Sequence, residues 1–384
     1  MVRWRGRHAG SIQFRPKQGT EFEGFLVHEL TVALKGASYP ILIGEGLLED
    51  AARWVPIMGT EVALVTHPRV EELYVKPIAQ ALGSACHGCY VLPDGEQHKT
   101  LEDLNGLYSW LLEQKLGRGT TLVAVGGGVV GDITGFAAAT YMRGVDFVQV
   151  PTTLLAQVDA SVGGKTGVNH PLGKNMIGAF WQPKAVLIDP VTLRSLPARE
   201  MRAGVAEVIK YGLIGDAEFF EWLEGHLEEV LALEPGALVH AIKTSCASKA
   251  QIVAADERER TGARALLNLG HTFAHAIETE QGYAEWHHGE AVACGLVLAA
   301  DLSVRMGWLE TQAAERIQAL VARAELPTRL PGELGVEQLR AHMRHDKKNV
   351  GGQQRFVLMR AIGQAEVTDQ VDERLLLATL AGVR

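Results

Sequence analysis

The chain has 384 residues, enough for two domains of ordinary size. Hydrophobic residues make up 47% and charged residues 21%, a balance typical of globular proteins, and the net charge of −8 favours neither nucleic acid nor an anionic membrane as a partner. No apolar run reaches the ~18 residues of a membrane span, and four cysteines in so long a chain indicate a reducing compartment, hence the cytoplasm.

The N-terminal segment is basic and lacks the apolar stretch of a signal peptide. We therefore expect residues 1–28 to be a disordered extension or the result of a misassigned start. From about Leu30 onward, short apolar strands and amphipathic helices alternate, which indicates an α/β fold. The predicted strands and helices of this part are at 30–36, 39–44, 61–66, 70–82, 89–92 and 100–114.

Cys86 and Cys89 form a CxxC, a spacing found in redox and zinc sites. No second CxxC accompanies it, and the two residues lie in a segment with the pattern of a strand and its lead-in. We interpret the pair as structural.

A glycine-rich turn follows the next buried strand. Gly126, Gly128 and Gly131 match GxGxxG between a strand and a small-residue helix, the context that dinucleotide binding requires. Such glycines let the backbone approach a pyrophosphate, and the helix N-terminus supplies N–H donors. The acidic residue expected about 20 residues later to contact the ribose is missing. Asp132, within the turn, is a candidate for a different contact.

The stretch 159–180 is rich in glycine and polar residues and lies between strands predicted at 146–150 and 185–188. It carries Lys165 and Lys174, which suit an anionic ligand. We predict a functional loop here, and a solvated surface loop is the alternative.

After residue 196 the strand pattern nearly disappears and helical patterns dominate. We predict an α/β domain with a Rossmann-like nucleotide-binding sheet at 29–195 and an all-α domain at 196–384, with the active site in the cleft between them. Extended segments in the second domain are expected only around FVLM and EVT. The predicted helices are at 200–213, 216–233, 235–256, 263–280, 289–306, 311–323 and 336–345.

Histidines are concentrated in the second domain. His271 and His275 are four residues apart and therefore share one face of a helix, which can present two imidazoles to one metal ion. His287 and His288 follow close by, next to Glu290. A solvated polar face is the alternative for any one of these histidines, and their concentration favours a metal site.

The third metal ligand must come from another part of the chain. Glu207 lies in an apolar helical run, where a carboxylate is costly unless it is paired or bound to a cation. Two histidines and one carboxylate form a known catalytic zinc set with an open position. A plain ion pair with Lys210, three residues on, is the alternative.

Motifs in both halves resemble the 3-dehydroquinate synthase family, within the sugar phosphate cyclases. The resemblance runs in unbroken order from about Leu30 to the C-terminus and rests on these segments: PDGEQHK, GGGVVGD, YMRG, PTTLLAQVDASVGGKTGVN, GKN, AEVIKYG, DERE, RALLNLGHTFAHAIE, HGEAV and DKK.

This resemblance implies conversion of 3-deoxy-D-arabino-heptulosonate 7-phosphate to 3-dehydroquinate and phosphate, a step of the shikimate pathway. The implied cofactors are catalytic NAD⁺ and a divalent metal, Zn²⁺ or Co²⁺. A ring hydroxyl is oxidised transiently, phosphate leaves by β-elimination, the ketone is reduced again, and the opened ring closes by an intramolecular aldol step. A cytoplasmic homodimer is the implied form.

The resemblance also implies roles for individual residues. The metal ligands are Glu207, His271 and His288. The catalytic residues are His275, Glu259, Lys165 and Lys210. Substrate-binding positions are Arg143, Asp159, Lys165, Asn175, Lys210, Lys249, Arg264, Asn268, His275, Lys347 and Lys348. NAD-binding positions are Asp94, Gly95, Glu96, Gln97, His98, Lys99, Gly128, Val129, Val130, Gly131, Asp132, Thr152, Thr153, Lys174, Thr192, Leu193, Arg194 and Ser195.

The sequence departs from the family pattern in DERERTGAR, which has one residue more than expected before its final arginine and so predicts a small bulge. Two alternative functions remain. A sister cyclase would act on sedoheptulose 7-phosphate or glucose 6-phosphate, but Arg264, Lys249 and Asn268 favour a substrate with a carboxylate. A polyol dehydrogenase would not need the phosphate-directed lysines.

Overall fold

A computed structural model describes residues 26–282, 285–344 and 354–383. The described residues divide into two compact units, with the division between Leu196 and Pro197. The first unit contains a seven-stranded sheet, and the second is mainly helical. The extension predicted at 1–28 lies almost entirely outside the described residues.

The sheet of the first unit has the order β1-β2-β9-β6-β5-β3-β4. Edge strand β1 is antiparallel to β2, and all other neighbours in the sheet are parallel. The strands of this unit are β1 (His28–Val32), β2 (Tyr39–Ile43), β3 (Glu61–Thr66), β4 (Cys86–Val91), β5 (Thr120–Gly126), β6 (Asp146–Pro151), β7 (Lys165–His170), β8 (Gly173–Phe180) and β9 (Ala185–Ile188). Its helices are α1 (Ala51–Met58), α2 (Pro68–Val70), α3 (Lys76–Leu82), α4 (Leu101–Glu113) and α5 (Gly128–Thr140).

Two apolar cores cover the two faces of this sheet. On central strand β5, Leu122 and Ala124 belong to the core that includes α4 and α5, whereas Val123 and Val125 belong to the core that includes α1 and α3. A parallel strand that is buried on both faces has a continuous run of apolar residues in its sequence. This is why the strand leading to the glycine turn was recognisable from the sequence.

The predicted loop at 159–180 is wrong over most of its length, because the structure forms the antiparallel hairpin β7–β8 there. Its glycines have a packing role. A Cβ on Gly167 would lie 2.5 Å from the Ile177 carbonyl oxygen, and one on Gly178 would lie 2.1 Å from the Thr166 carbonyl oxygen. Glycine therefore allows the two strands to approach closely, and it hid the strand pattern in the sequence.

The second unit is built from helices and one small antiparallel hairpin, β10–β11. The extended segments expected near FVLM and EVT are those two strands. The final helix was not predicted. The elements are α6 (Ala198–Gly215), α7 (Ala217–Leu231), α8 (Pro235–Ala255), α9 (His271–Glu280), α10 (His288–Arg305), α11 (Thr311–Arg323), α12 (Val336–Arg344), β10 (Phe356–Ala361), β11 (Gln364–Thr368) and α13 (Glu373–Gly382).

The single helix predicted over 263–280 is wrong, because the structure divides it at Gly270. Residues Ala263–Asn268 form a 3₁₀ helix, Gly270 has a φ of 78°, and α9 begins at His271. A Cβ on Gly270 would lie 2.9 Å from the Leu296 nitrogen, so the break also brings α9 close to α10. The predicted polar stripe therefore does not run along one helix.

Among the described residues, none of the helices combines the length and the apolar character needed to cross a bilayer.

Close packing of α10 on α6 gives a stability prediction. A Cβ on Gly289 would lie 1.9 Å from the Ala203 carbonyl oxygen, whereas one on Gly225 of α7 meets no heavy atom within 4 Å. We expect Gly289→Ala to destabilise the protein by about 1–3 kcal/mol through overpacking. The matched Gly225→Ala should stabilise it by roughly 0.5–1 kcal/mol, since alanine favours a helix over glycine.

Thermal unfolding of both variants, with a chelator present to exclude metal binding, measures this difference. Equal midpoints for the two variants would contradict the close contact between α6 and α10.

Candidate metal and nucleotide sites

Three side chains of the second unit form a group with the geometry of a metal site. Glu207 of α6, His271 at the start of α9 and His288 at the start of α10 each offer a ligand atom, and these atoms lie within 4.8 Å of one another. Glu207 Oε1 is 3.5 Å from His271 Nε2 and 3.7 Å from His288 Nε2. One carboxylate oxygen and two imidazole nitrogens therefore converge on one point.

Hydrogen bonds fix the tautomers of both imidazoles. His271 Nδ1 lies 3.0 Å from the Leu269 carbonyl oxygen, which can only accept, so Nδ1 carries the proton. His288 Nδ1 lies 3.1 Å from Glu278 Oε1, and an ionised carboxylate likewise only accepts. When the imidazoles are neutral, both Nε2 atoms are thereby left to offer a lone pair toward Glu207, which is the arrangement that a metal requires.

The Glu207 carboxylate is fully buried, at 0% exposure. The ion pair with Lys210, which the sequence offered as the alternative to metal binding, is present, and neither carboxylate oxygen accepts a hydrogen bond from the described residues. A buried carboxylate without hydrogen bonds is costly unless a cation compensates it. Two imidazoles and one carboxylate fit a divalent cation such as zinc and leave a coordination position open.

The electrostatic environment of His288 also favours a bound cation. Burial lowers the pKa of this imidazole, but its interactions with the carboxylates of Glu207 and Glu278 outweigh burial and raise the pKa to about 9. The two carboxylates thus create a place where positive charge is favoured. The two carboxylates would likewise stabilise a divalent cation at this position.

The other two histidines of the segment lie outside this group. His275 shares a face of α9 with His271, as its spacing predicted, and their ring centroids are 5.8 Å apart. His287 points its Nδ1 toward Glu200 Oε1, at 3.4 Å. Among the described residues, the structure therefore groups His271 with His288 rather than with His275.

An ion pair anchors the start of α10 to α6, which carries Glu207. Glu290 accepts a hydrogen bond from the His287 backbone in a capping box, at 2.7 Å. Arg199 of α6 binds both oxygens of Glu290, at 2.7 and 2.8 Å. Glu290 therefore helps to place His288 and is not itself in the ligand group, a role the sequence did not reveal.

The predicted carboxylate-binding residues lie on α8 and on the segment that follows it. Lys249 is buried on α8, and Arg264 is 1% exposed. Arg264 donates to the Glu257 carbonyl oxygen at 2.9 Å, and its Nε lies 3.7 Å from Glu259 Oε1. Asn268 donates to the Ala265 carbonyl oxygen at 3.2 Å. Part of the hydrogen-bonding capacity of Arg264 and Asn268 is thus used within the unit.

The segment with the extra residue forms a turn around Asp256. This carboxylate accepts backbone hydrogen bonds from four residues of the turn, and they outweigh burial and hold its pKa below the ordinary value. Glu259 lies in the turn with a φ of 55°, a strained conformation for a non-glycine residue. The four donors are Arg260 (2.7 Å), Thr261 (3.1 Å), Gly262 (3.0 Å) and Arg264 (3.3 Å).

In the first unit, the glycine turn connects β5 to α5 as predicted. Gly127 is the N-cap of α5, and Gly128 is its first residue. A Cβ on Gly131 would lie 2.7 Å from Gln149 Oε1 on β6, so this glycine permits close packing of the helix on the sheet. The half-buried start of α5 is the kind of helix N-terminus that binds a phosphate group.

A buried lysine links this turn to the hairpin. Lys99 is 3% exposed, pairs with Asp132 in the first turns of α5, and donates to Asn175 Oδ1 at 2.6 Å. Burial lowers the Lys99 pKa, but the charges of Asp132 and Glu96 outweigh burial and raise it above the ordinary value. Lys99 therefore stays charged and joins a predicted NAD-binding segment to a predicted substrate-binding residue.

Asn169 completes this network and was not predicted. It donates to Glu96 Oε1 at 2.8 Å and accepts from the Asn175 backbone at 2.9 Å, while its own backbone N–H donates to the Lys99 carbonyl oxygen at 2.7 Å. Nothing in its local sequence distinguishes Asn169 from a turn residue. Its role depends on β7 lying beside the PDGEQHK segment.

Several predicted NAD-binding side chains have partners within the unit. Thr192 is buried and accepts from Gln157, and Ser195 contacts the Tyr74 hydroxyl at 2.7 Å. Asp94 lies 3.3 Å from Arg69. Lys174 lies on β8, and the other remaining positions flank these residues along the chain, on the Glu96–His98 turn, just after β6 and on the Pro190–Ser195 turn.

The remaining predicted substrate residues of the first unit are more open to solvent. Arg143 is exposed and has a φ of 69°, Lys165 is exposed at the start of β7, and Asp159 is partly buried. Lys347 and Lys348 lie outside the described residues.

The CxxC cysteines lie on β4 and are free thiols. Burial raises the pKa of Cys89 to about 12, with a smaller contribution from the nearby Glu71 charge. A thiol that does not ionise near neutral pH is a poor nucleophile and a poor redox group, which supports the structural interpretation.

Two family models and a curated relative match this chain. The 3-dehydroquinate synthase N-terminal model matches residues 89–203, and the 3-dehydroquinate synthase C-terminal model matches residues 204–349. A 3-dehydroquinate synthase from Pseudomonas putida (strain W619) is 54% identical over 353 residues, which cover 92% of this chain and 96% of the relative.

Two solved structures share the fold. ValA, a 2-epi-5-epi-valiolone synthase from Streptomyces hygroscopicus subsp. jinggangensis 5008 with NAD⁺ and Zn²⁺ bound, is 30% identical, with a TM-score of 0.84 over 91% of this chain and 98% of that one. A 2-deoxy-scyllo-inosose synthase complexed with carbaglucose-6-phosphate, NAD⁺ and Co²⁺ is 26% identical, with a TM-score of 0.83 over 93% and 100%.

The fold, with its nucleotide-type turn and its Glu-His-His group, is that of the sugar phosphate cyclases. The matches of both family models and the 54% identity identify the particular family within this class. The chain belongs to the 3-dehydroquinate synthase family.

The ligand group gives a direct prediction. We expect His271→Ala to lose bound zinc, because two of the three ligands cannot hold the ion at the affinity of three. Zinc content after gel filtration, measured by elemental analysis, should fall from about one equivalent to well under about 0.2.

His342→Ala is the matched control, since His342 pairs with Glu280 at 2.6 Å and lies outside the ligand group. It should keep its zinc. Near-normal zinc in His271→Ala would refute the ligand assignment.

Proposed function

We propose that this chain is a 3-dehydroquinate synthase, which converts 3-deoxy-D-arabino-heptulosonate 7-phosphate to 3-dehydroquinate and phosphate. The observation that carries the proposal is the convergence of Glu207, His271 and His288 in a chain that is 54% identical to a 3-dehydroquinate synthase. The product would feed the biosynthesis of aromatic compounds.

Glu207, His271 and His288 would hold a divalent cation, Zn²⁺ or Co²⁺. The cation would supply Lewis-acid polarisation of a substrate hydroxyl. The role of the protein is to keep the three ligand atoms together, with both imidazole tautomers fixed and the carboxylate buried beside Lys210. A rigid set of this kind can hold a substrate oxygen at the open position without reorganisation.

The glycine turn and the segments around it would hold NAD⁺. The nucleotide would supply a hydride acceptor for the hydroxyl and return the hydride later in the same turnover. We assign the start of α5 to the pyrophosphate, since its backbone donors and helix dipole suit an anion. The Lys99–Asp132 ion pair would hold this turn in a fixed position relative to the hairpin that carries Asn175.

Cations would stabilise the leaving phosphate. In β-elimination, a proton leaves the carbon next to the ketone and the C–O bond to phosphate breaks, so negative charge builds on the leaving oxygen. We assign Lys165, Arg143 and one lysine of the pair Lys347 and Lys348 to this phosphate. His275 and Glu259 are the proposed proton-transfer residues, and Lys210 lies beside the metal group.

The substrate carboxylate would bind to Arg264, Lys249 and Asn268. Arg264 is almost completely buried, so its guanidinium holds a fixed orientation through Glu257 and Glu259. A fixed guanidinium binds a carboxylate with good geometry. This feature favours an acid sugar over the neutral sugar phosphates of sister cyclases.

We further propose that residues 29–195 bind the nucleotide and residues 196–384 bind the metal and most of the substrate. A cytoplasmic homodimer is the proposed form, in line with the family. The net charge of −8 supports a small-molecule partner rather than nucleic acid.

The proposed substrate can be tested by direct comparison. Purified protein with NAD⁺ and Zn²⁺ is supplied with either 3-deoxy-D-arabino-heptulosonate 7-phosphate or sedoheptulose 7-phosphate, and the carbocyclic product is identified by NMR. We expect the acid sugar to be preferred by at least about 100-fold in kcat/KM, the discrimination that a site built for a charged group achieves. A faster reaction with sedoheptulose 7-phosphate would make the chain a sister cyclase.

Lys165→Ala tests the phosphate assignment. Because Lys165 is exposed, we expect no loss of stability, and because its charge would face the leaving phosphate, we expect kcat/KM to fall about 10- to 100-fold. Lys184→Ala is the control, since Lys184 is also exposed and pairs with Asp146 at 2.9 Å. A kcat/KM of Lys165→Ala equal to that of the control would remove Lys165 from the site.

A further inference from the structure

Glu278 is a buried carboxylate beside the metal-ligand group. It lies on α9, seven residues after His271 and so on the same face of the helix, and it is 4% exposed. Its Oε1 is 3.1 Å from Nδ1 of His288, the ring nitrogen that points away from Glu207. Glu278 therefore connects α9 to the first residue of α10 through a metal-ligand side chain.

We propose that Glu278 is a positioning residue for the metal site: it holds the His288 ring so that Nε2 faces the cation, and it strengthens this ligand electrostatically. The proposal rests on the proposed metal site. An imidazole that donates to a carboxylate has a fixed tautomer and a more basic second nitrogen. Glu278 would not touch the cation or the substrate, and it acts only through His288.

The two histidine ligands differ in this respect. His271 donates Nδ1–H to a neutral backbone carbonyl, whereas His288 donates to a charged carboxylate. A charge-assisted hydrogen bond is about twice as strong as a neutral one. The orientation of His288 therefore depends on a side chain that can be changed without altering any ligand, while the orientation of His271 depends on the backbone.

The charges around the site give Glu278 a second effect. Lys210 lies against Glu207 and cancels the charge of the one anionic ligand. Glu278 restores a negative charge close to the group, at the cost of burying it. Removal of that charge would make His288 a weaker ligand in a group whose one carboxylate is already balanced by a lysine, which weakens metal binding.

Glu280 provides a matched control on the same helix. Its carboxylate also pairs with an imidazole, that of His342, at 2.6 Å from Nε2. His342 is not in the ligand group. Glu280→Gln thus makes the same chemical change two residues along α9 without reaching the metal site.

The test measures zinc affinity in the full-length protein, with no nucleotide or sugar present. The metal-free protein, wild type or variant, competes with a chromophoric chelator for Zn²⁺. We expect Glu278→Gln to raise the zinc Kd about 10- to 100-fold, the usual effect of losing such a partner, and Glu280→Gln to change it less than about twofold. A Glu278→Gln Kd within twofold of wild type overturns the proposal. If Glu278→Gln does not fold, as judged by circular dichroism, Glu278→Asp is measured instead under the same criterion.

A double-mutant cycle tests whether Glu278 acts through His288. In a His288→Ala background, Glu278→Gln should change the residual zinc affinity less than about twofold. The full effect in that background would overturn the positioning role. The wild type serves as the reference for the metal site itself: if it binds no zinc, the proposed function fails, whereas tight binding that Glu278→Gln leaves unchanged refutes only the role of Glu278.

Discussion

A buried carboxylate imposes the main constraint on this molecule. Glu207 lies on α6 in the apolar interior of the second unit, where Lys210 and two imidazoles approach it. Such a group is stable only beside positive charge. The close packing of α10 on α6 at Gly289, the Arg199–Glu290 ion pair and the break at Gly270 all act to bring His271 and His288 to that carboxylate. The packing of α6, α9 and α10 thus places two histidines beside one buried carboxylate.

The first unit is organised by a buried charge of the opposite sign. Lys99 is enclosed between Asp132 and Asn175, so the glycine turn and the β7–β8 hairpin are held together through one ammonium group. The raised pKa keeps that group charged at any physiological pH. The turn that we propose for the nucleotide and the hairpin that we propose for the substrate are therefore both held by Lys99.

The sequence predicted those features that depend on local pattern. Buried strands such as β5 were recognisable because both faces are apolar, and the glycine turn was recognisable from its position between strand and helix. The β7–β8 hairpin was mistaken for a loop because its glycines, needed for close strand approach, remove the side chains that reveal a strand. Glu278 and Asn169 were missed because their roles exist only after distant segments meet. The choice of His288 over His275 needed the family resemblance, since helical spacing alone favoured His275.

The most direct measurement follows phosphate release from 3-deoxy-D-arabino-heptulosonate 7-phosphate with NAD⁺ well below the concentration of substrate, while NADH absorbance is recorded in parallel. We expect many phosphates released for each NAD⁺, no net accumulation of NADH, loss of activity on chelation and recovery on addition of Zn²⁺. Activity that persists after complete removal of the metal, or NADH that accumulates in step with the product, would contradict the proposed function.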